Sequence, residues 1–247
     1  MRRLGLLATF AVAVAVATPT LAEDPDGSAK LRHEMVREIA TEAERTADYT
    51  GRPVLDARVL EIIGKVPRHL FVPPELAPFA YRNQPLPIGH GQTISQPFIV
   101  ALMTDLARIG PNDKVLEIGV GGGYHTAILA ELAKEVHSVE QIESVAEAAR
   151  VRLELLGYAN AKVHLGDGYY GLSSNGPYDV IILRQAINHL PVALARQLRP
   201  GGRLVAPIGP PDVGQQLMLV EKDETGAIHE IPVLPVIFTY LPGGDRI

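Results

Sequence analysis

The sequence predicts an α/β fold: a mostly parallel, Rossmann-like sheet with antiparallel strands at its C-terminal end and a helical extension at its N-terminus. From residue 115 onward, short apolar runs alternate with segments of helical periodicity, as in a parallel sheet. The first apolar run leads directly into a glycine-rich loop that begins a helix. Two final apolar runs flank the turn Asp223-Glu-Thr-Gly226, which indicates an antiparallel pair.

The N-terminal part is predicted to be helical, with one long proline-rich loop. Residues 29–48 carry apolar side chains at helical spacing and are otherwise largely charged, which is typical of an amphipathic helix. A second helix, residues 56–65, is stopped by Pro67. Six prolines between residues 67 and 91 predict a rigid loop, and such loops often carry binding residues. A third helix covers residues 99–108.

The remainder is predicted to alternate between strands and helices. The strands are residues 115–118, 136–139, 162–165, 179–183 and 203–207, followed by the terminal runs 216–221 and 228–238. The helices between them are residues 124–133, 142–156 and 191–198. Because 47% of the 247 residues are hydrophobic, the chain can bury one sizeable core.

The first 22 residues have the pattern of a cleaved secretory signal peptide. Met1-Arg2-Arg3 precedes an uncharged, mostly apolar run at residues 4–17, and the small residues Thr20 and Ala22 stand just before the acidic Glu23. The pattern predicts export to the periplasm or the extracellular space, with no stable membrane insertion after cleavage. An uncleaved membrane anchor is the alternative, although the apolar run is short for a span.

Composition argues against a nucleic-acid partner and against a metal site. The net charge is −5, the isoelectric point is near 5.9, and no Lys/Arg cluster of useful length occurs, so no surface for neutralising phosphates is predicted. No pair of histidines has convincing metal-ligand spacing, so no metal is expected.

The glycine loop is predicted to bind a nucleoside. Gly119, Gly121 and Gly123 follow a G-x-G-x-G spacing, whereas a dinucleotide fingerprint has its third glycine one residue later. Glu140 ends the next strand, where its carboxylate can accept hydrogen bonds from both ribose hydroxyls. Glu117 would repel a pyrophosphate but attract a sulfonium or an amino group. S-adenosylmethionine therefore fits better than NAD, and a glycine turn without a ligand is the other alternative.

Residues just after the other strands are candidates as well, because ligands of such sheets bind beyond the carboxyl ends of the strands. Asp167, between two glycines, suits a hydrogen bond to an adenine amino group, with the backbone of Gly168 close by. An ordinary aspartate in a turn is the alternative interpretation.

Several longer strings identify a family resemblance. They are Val66-Pro-Arg-His-Leu-Phe-Val72, Pro85-Leu-Pro-Ile-Gly-His-Gly-Gln-Thr-Ile-Ser-Gln-Pro97, Leu116-Glu-Ile-Gly119, Gly166-Asp-Gly168 and Gln197-Leu-Arg-Pro-Gly-Gly202. Together they resemble protein-L-isoaspartate O-methyltransferase, in order along residues 55–242. The segment Gln92-Thr-Ile-Ser-Gln-Pro97 is far more specific than any glycine loop.

The resemblance implies a Rossmann-like methyltransferase sheet, S-adenosylmethionine as the cofactor and an isoaspartyl-containing protein or peptide as the substrate. Ser95 matches the active-site serine of the family, and Glu140 matches the acid that binds the ribose. Gly119, Gly121 and Gly123 match the cofactor loop, and Asp167 and Gly168 match the adenine contact. We therefore expect a signal peptide at residues 1–22, N-terminal helices and a substrate-side loop at 23–98, and a methyltransferase domain at 99–247.

Two segments depart from the family pattern near the expected acceptor site. Arg82 and Asn83 stand where the family commonly has an acidic residue, and Arg184-Gln185-Ala186 replaces the family's Thr-Ala-Ala. Arg184 could bind an acceptor carboxylate, obstruct the pocket or form a structural ion pair. Thr93 and Ser95 could alternatively cap the helix that begins near Gln96-Pro97.

The leading functional hypothesis is methyl transfer to L-isoaspartyl carboxylates in damaged exported proteins or peptides. The alternatives are a non-catalytic protein that retains the nucleoside pocket and a methyltransferase for a different carboxylate acceptor. A carboxylate is already ionised at neutral pH, so the chemistry demands alignment and removal of water and requires no strong base.

Overall fold

A seven-stranded mixed sheet forms the centre of the structure, a computed structural model that describes residues 27–210 and 213–242. A separate two-stranded hairpin consists of β1 (Leu86–Gly89) and β2 (Gln92–Ile94). The central strands are β3 (Lys114–Ile118), β4 (Glu135–Glu140), β5 (Ala161–Leu165), β6 (Tyr178–Leu183), β7 (Leu198–Ile208), β8 (Gln215–Lys222) and β9 (Ile228–Val236). The predicted signal peptide, residues 1–22, lies outside the described residues.

The strand order is β5-β4-β3-β6-β7-β8-β9. The first five strands in this order pair in parallel, whereas β8 is antiparallel to both β7 and β9. The predicted Rossmann-like fold with antiparallel C-terminal strands is confirmed. The strand order reverses at β3, which has β4 on one side and β6 on the other, so the topological switch point lies at its carboxyl end.

The helices cover both faces of the sheet and bury its apolar side chains in two layers. They are α1 (Ser28–Arg45), α2 (Ala47–Thr50), α3 (Ala57–Lys65), α4 (Pro97–Ala107), α5 (Tyr124–Leu132), α6 (Glu143–Leu155) and α7 (Val192–Gln197). On β3, Val115 packs into the layer shared with α4 and α5, whereas Leu116 and Ile118 pack into the opposite layer. Because both faces are covered, β3 is apolar along most of its length.

Two details differ from the sequence prediction. The loop predicted at residues 67–91 contains two 3₁₀ helices, Arg68–Phe71 and Pro74–Phe79, and all of β1. The hairpin escaped prediction because its strands are three and four residues long and include Pro87. The first helix ends at Arg45, and residues 47–50 form the separate helix α2.

Within the described residues, no helix is long and apolar enough to cross a membrane. No group of three or more His, Cys, Asp or Glu side chains in that part of the chain is arranged to hold a metal ion.

Candidate active site

The glycine loop follows β3 at the switch point and has a backbone that only glycine adopts easily. Gly119, Gly121 and Gly123 have φ angles of 88°, 51° and 89°, in the left-handed region that disfavours side chains. Gly123 is also the N-cap residue of α5. At Gly122 a Cβ atom would lie 2.6 Å from the carbonyl oxygen of Phe71. The loop is therefore buried and packed closely against the first 3₁₀ helix.

Glu140 lies beside this loop at the end of β4. Its Oε2 accepts a hydrogen bond from the Gly121 amide at 3.3 Å, and its Oε1 accepts from the amides of Gln141 and Ile142 at 3.0 and 3.1 Å. The residue is only 3% exposed. These three bonds fix the carboxylate, and Oε2, with one long bond, retains capacity to accept from a ligand hydroxyl.

Asp167 and Gly168 lie next to Glu140 across the sheet, since the Gly166 amide donates to the Glu140 carbonyl oxygen at 2.9 Å. Asp167 Oδ1 accepts from the Tyr169 amide at 3.0 Å and so caps a short 3₁₀ helix. A Cβ atom at Gly168 would lie 2.3 Å from Ile118 Cγ2, so no larger residue fits. The structure brings both residues to the edge where Glu140 lies, and their contact with adenine stays a prediction.

A cavity of about 790 Å³ opens beside the glycine loop. Its lining includes Ser95, two loop glycines (Gly119 and Gly121), and both Arg184 and Gln185. The rest of the wall comes from the end of α1, the β1–β2 hairpin, the start of α4, and the end of β9 with the chain that follows it. Glu140, Asp167 and Gly168 are not among the described residues that line it. After the roles that the sequence predicts, we name Glu140, Asp167 and Gly168 the nucleoside side and the cavity with Ser95 the acceptor side. Both Glu140 and the cavity adjoin the glycine loop.

Ser95 lies on the acceptor side and does not cap α4. The N-cap residue of α4 is Gln96, and no side chain of that segment caps the helix. Instead, Asn83 Oδ1 accepts from the Phe98 amide at 2.9 Å. The helix-cap alternative for Ser95 is therefore wrong, and the capping function belongs to Asn83. Within the described part of the chain the Ser95 hydroxyl makes no hydrogen bond, so it can donate to a ligand.

Arg68 positions the segment that carries Ser95, and sequence reasoning missed this role. Its side chain is fully buried, with Nη2 donating to the Ser95 carbonyl oxygen at 2.7 Å and Nε donating to the Ala80 carbonyl oxygen at 2.8 Å. The guanidinium lies 4.8 Å from the centroid of the Tyr124 ring, at the start of α5. Burial lowers the pKa of Arg68 to about 10, so it stays charged at neutral pH. It links the hairpin segment to the helix that follows the glycine loop.

Glu117 lies beneath the loop rather than facing a ligand. It is fully buried, and its Oε2 accepts hydrogen bonds from the hydroxyls of Thr126 at 2.5 Å and Ser138 at 2.7 Å. Burial raises the pKa of Glu117, whereas the nearby Arg184 acts in the opposite direction. Because the carboxylate is enclosed and shares its surroundings with a cation, its direct attraction for a sulfonium is smaller than the sequence suggested.

Arg184 is the first residue after β6, and its side chain reaches the glycine loop. Its Nη1 donates to the carbonyl oxygens of Gly119 and Val120 at 2.9 and 2.7 Å. Its Nε lies 4.0 Å from Glu117 Oε1, so Arg184 forms the structural ion pair that was one of the three interpretations of this residue. Arg82 belongs to the other segment that departs from the family pattern. Its guanidinium carbon lies 4.7 Å from the centroid of the Phe79 ring.

Comparisons with known proteins agree with this geometry. The family model described as Protein-L-isoaspartate(D-aspartate) O-methyltransferase (PCMT) matches residues 47–246. Protein-L-isoaspartate O-methyltransferase 2 of Syntrophobacter fumaroxidans is 52% identical over 223 residues, which cover 90% of this chain and 90% of the relative. Protein-L-isoaspartate O-methyltransferase 2 of Polaromonas sp. is 53% identical over 209 residues, which cover 85% of this chain and 99% of the relative.

Solved structures support the same fold. A protein-L-isoaspartate O-methyltransferase superposes with a TM-score of 0.73 at 26% identity, covering 85% of this chain and 65% of the other. A beta-aspartate methyltransferase (PCMT) from Plasmodium falciparum, in complex with S-adenosyl-L-homocysteine, gives a TM-score of 0.69 at 22% identity, covering 86% and 97% of the two chains. The chain therefore belongs to the protein-L-isoaspartate(D-aspartate) O-methyltransferase family and is an S-adenosylmethionine-dependent carboxyl O-methyltransferase.

Proposed function

We propose that this protein methylates the free carboxylate of L-isoaspartyl residues in damaged proteins or peptides outside the cytosol. The observation that carries the reaction is the cavity in which Ser95 shares a wall with Gly119 and Gly121. A methyl donor held at that loop and an acceptor held by the hairpin segment would meet there. The long family match and the two relatives at about 50% identity support the isoaspartyl acceptor.

The residues on the nucleoside side fit S-adenosylmethionine. Glu140 is a fixed carboxylate with acceptor capacity for ribose hydroxyls, and it lies beside a loop whose left-handed backbone suits glycine. Asp167 would accept from the adenine amino group, with Gly168 allowing close contact. When bound, S-adenosylmethionine supplies a methyl group activated by the sulfonium.

The protein's own contribution is mainly alignment. An isoaspartyl carboxylate is ionised at neutral pH, so no side chain needs to remove a proton. The Ser95 hydroxyl would donate a hydrogen bond to one carboxylate oxygen and direct the other towards the methyl group. Arg68 supports this geometry by holding the Ser95 carbonyl oxygen. The apolar residues around the cavity, among them Phe98 and Ile99, would exclude water from the carboxylate.

The proposal that the substrates are exported proteins rests on the N-terminal sequence. The basic start, the apolar run and the small residues before Glu23 support cleavage after Ala22. The mature chain is expected to begin at Glu23. Mass measurement of the protein purified from an envelope fraction checks this, and recovery of only the full-length chain from the cytosol would contradict export.

The reaction is tested with labelled S-adenosylmethionine and a pair of peptides that differ only in an isoaspartyl or an aspartyl residue. Methylation of the isoaspartyl peptide alone is the expected result. Cofactor binding by calorimetry without methylation of either peptide would favour a non-catalytic binding protein. Cofactor binding with methylation of other carboxylates only would favour a different acceptor.

A further inference from the structure

We propose that Arg184 and Gln185, which line the cavity, form a carboxylate-binding subsite. This subsite holds the reacting carboxylate of the acceptor. The inference rests on the proposed function and concerns the residues that replace the small side chains of the family pattern. Both side chains line the cavity next to Gly119 and Gly121, where the acceptor and the methyl group would meet.

The Arg184 guanidinium has a fixed orientation beside the glycine loop. Two bonds from Nη1 to carbonyl oxygens of the glycine loop fix the group, and the side chain of Arg184 is only 6% exposed. Nε is a buried N–H without a hydrogen-bond partner, 4.0 Å from Glu117. Among the described residues, Nη2 also has no hydrogen-bond partner. The structural ion pair therefore occupies one side of the guanidinium and leaves donors for a ligand.

Gln185 supplies a second polar group beside the first. Its side-chain amide makes no hydrogen bond within the part of the chain that the structure describes, although the residue is only partly exposed. The amide lies against the loop, since a Cβ atom at Gly119 would be 3.1 Å from Gln185 Oε1. Nη2 of Arg184 is similarly 3.4 Å from the Cβ position of Gly121. The two groups thus flank the same loop, and unpaired polar groups in such a site favour a ligand that pairs with them.

Arg184 gives its side of the cavity a positive charge, which favours an anionic ligand there. Arg184 is the one basic residue among its described lining residues, and Glu42, at the end of α1, is the one acidic residue. A guanidinium that is fixed in place binds carboxylates better than a flexible ammonium does, because its planar donors are already oriented. The acceptor of a carboxyl O-methyltransferase brings such a carboxylate to this wall of the cavity.

The subsite has a kinetic consequence that distinguishes binding from obstruction. As the methyl group is transferred, the carboxylate loses its negative charge, so a cation pairs better with the ground state than with the transition state. Removing the guanidinium should therefore raise KM while leaving kcat unchanged or higher. If Arg184 obstructed the pocket instead, its removal would lower KM.

The direct test is calorimetry in the presence of saturating S-adenosylhomocysteine. The ligands are an isoaspartyl peptide and the same peptide with that carboxylate converted to a carboxamide. We expect the wild type to bind the carboxylate peptide at least about tenfold more tightly and Arg184→Met to lose this preference. Gln185→Ala should reduce it by about threefold or more. Arg196→Met, the same change on the exposed part of α7, is the matched control and should behave like the wild type.

Gln185→Ala keeps the bonds from Arg184 to the loop, so it tests the subsite even if Arg184→Met disturbs the fold or cofactor binding. Equal binding of both peptides by the wild type, an unchanged preference in both variants, or a lower KM for Arg184→Met would overturn the proposal.

The methylation assay separates this outcome from failure of the proposed function. Methylation of the isoaspartyl peptide with no effect of either variant on carboxylate preference would leave the function standing without the subsite. Binding that prefers the carboxylate through Arg184, without methylation, would leave the subsite standing without the function.

Discussion

Glu140 is the residue whose geometry most directly predicts cofactor affinity. Its carboxylate is buried, fixed by three backbone amides and placed at the glycine loop. Glu140→Ala should weaken binding of S-adenosylmethionine and its demethylated product by roughly 1.5–3 kcal/mol, the usual value of hydrogen bonds to a charged group. Calorimetry measures the change, with Glu143→Ala at the exposed start of α6 as the control. Unchanged affinity in Glu140→Ala would remove its role in binding the ribose.

Ser95 and Asn83 make a matched pair, because one faces the cavity and the other caps α4. Ser95→Ala should lower turnover more than cofactor affinity and leave stability nearly unchanged, since its hydroxyl bonds nothing within the described structure. Asn83→Ala should lower the free energy of unfolding by about 1 kcal/mol, as the loss of a helix cap does. Kinetics and urea unfolding of both variants provide the check. A Ser95→Ala variant that turns over normally would be evidence against an orienting role.

The residues that sequence reasoning identified are those with a local signature, and those it missed act across the chain. The loop glycines are recognisable because strand, loop and helix are consecutive. Arg68 bonds to a carbonyl oxygen 27 residues away, and Asn83 caps a helix 15 residues away. Nothing in their immediate neighbours indicates these partners. Arg68 lies within one of the sequence strings that carry the family resemblance, and this was the available signal. A single arginine among apolar residues does not reveal which groups it binds.

At the scale of elements, the β3–loop–α5 unit depends on close contact with the 3₁₀ helix Arg68–Phe71. Gly122→Ala would place a Cβ atom 2.6 Å from the Phe71 carbonyl oxygen, a backbone atom that cannot rotate away. The free energy of unfolding should fall by about 1–3 kcal/mol, as in other overpacked sites. Cofactor affinity should fall too, because the loop must shift. Denaturant unfolding and calorimetry test both effects, and a variant with wild-type values would mean that the two segments separate freely.

Most helices and strands were predictable because the spacing of their apolar residues matches the side chains that the fold buries. All seven strands of the central sheet and the helices between them were predicted, with boundaries differing by a few residues. The largest boundary difference is at β7, which begins at Leu198 instead of residue 203 because Leu198 already pairs with Tyr178 of β6, ahead of an irregularity in the register. The β1–β2 hairpin was missed, since its short, proline-containing strands have no periodicity to detect and depend on tertiary packing.

At the scale of the whole molecule, shielded histidines on α5 and in the sheet make stability depend on pH. His125, on α5, is 1% exposed, and its Nε2 lies 3.0 Å from the Thr104 hydroxyl of α4. Burial, with a smaller contribution from Arg184, lowers the pKa of His125 to about 3. Burial also lowers the pKa values of His137 and His164, which lie 3.0 Å apart between β4 and β5. The fold therefore favours the neutral form of each of these histidines.

The sign of the resulting pH dependence follows from proton binding. Below about pH 6.5 the unfolded chain protonates His125, whereas the folded chain excludes the proton down to a pKa of about 3. The unfolded state therefore binds more protons in this window, and stability falls as the pH falls. At pH 5 the loss attributable to His125 is about 2 kcal/mol relative to pH 7.5, from about 1.4 kcal/mol per pH unit.

His125→Gln removes this titrating group while keeping a polar side chain near Thr104. Between pH 7.5 and pH 5 the variant should lose about 2 kcal/mol less stability than the wild type, whatever its own stability at pH 7.5. His137 and His164 act in the same direction in both proteins, so the difference between the two pH responses isolates His125. Urea unfolding at both pH values measures it. If the two proteins lose stability equally on acidification, His125 is protonated in the folded state as readily as in the unfolded state.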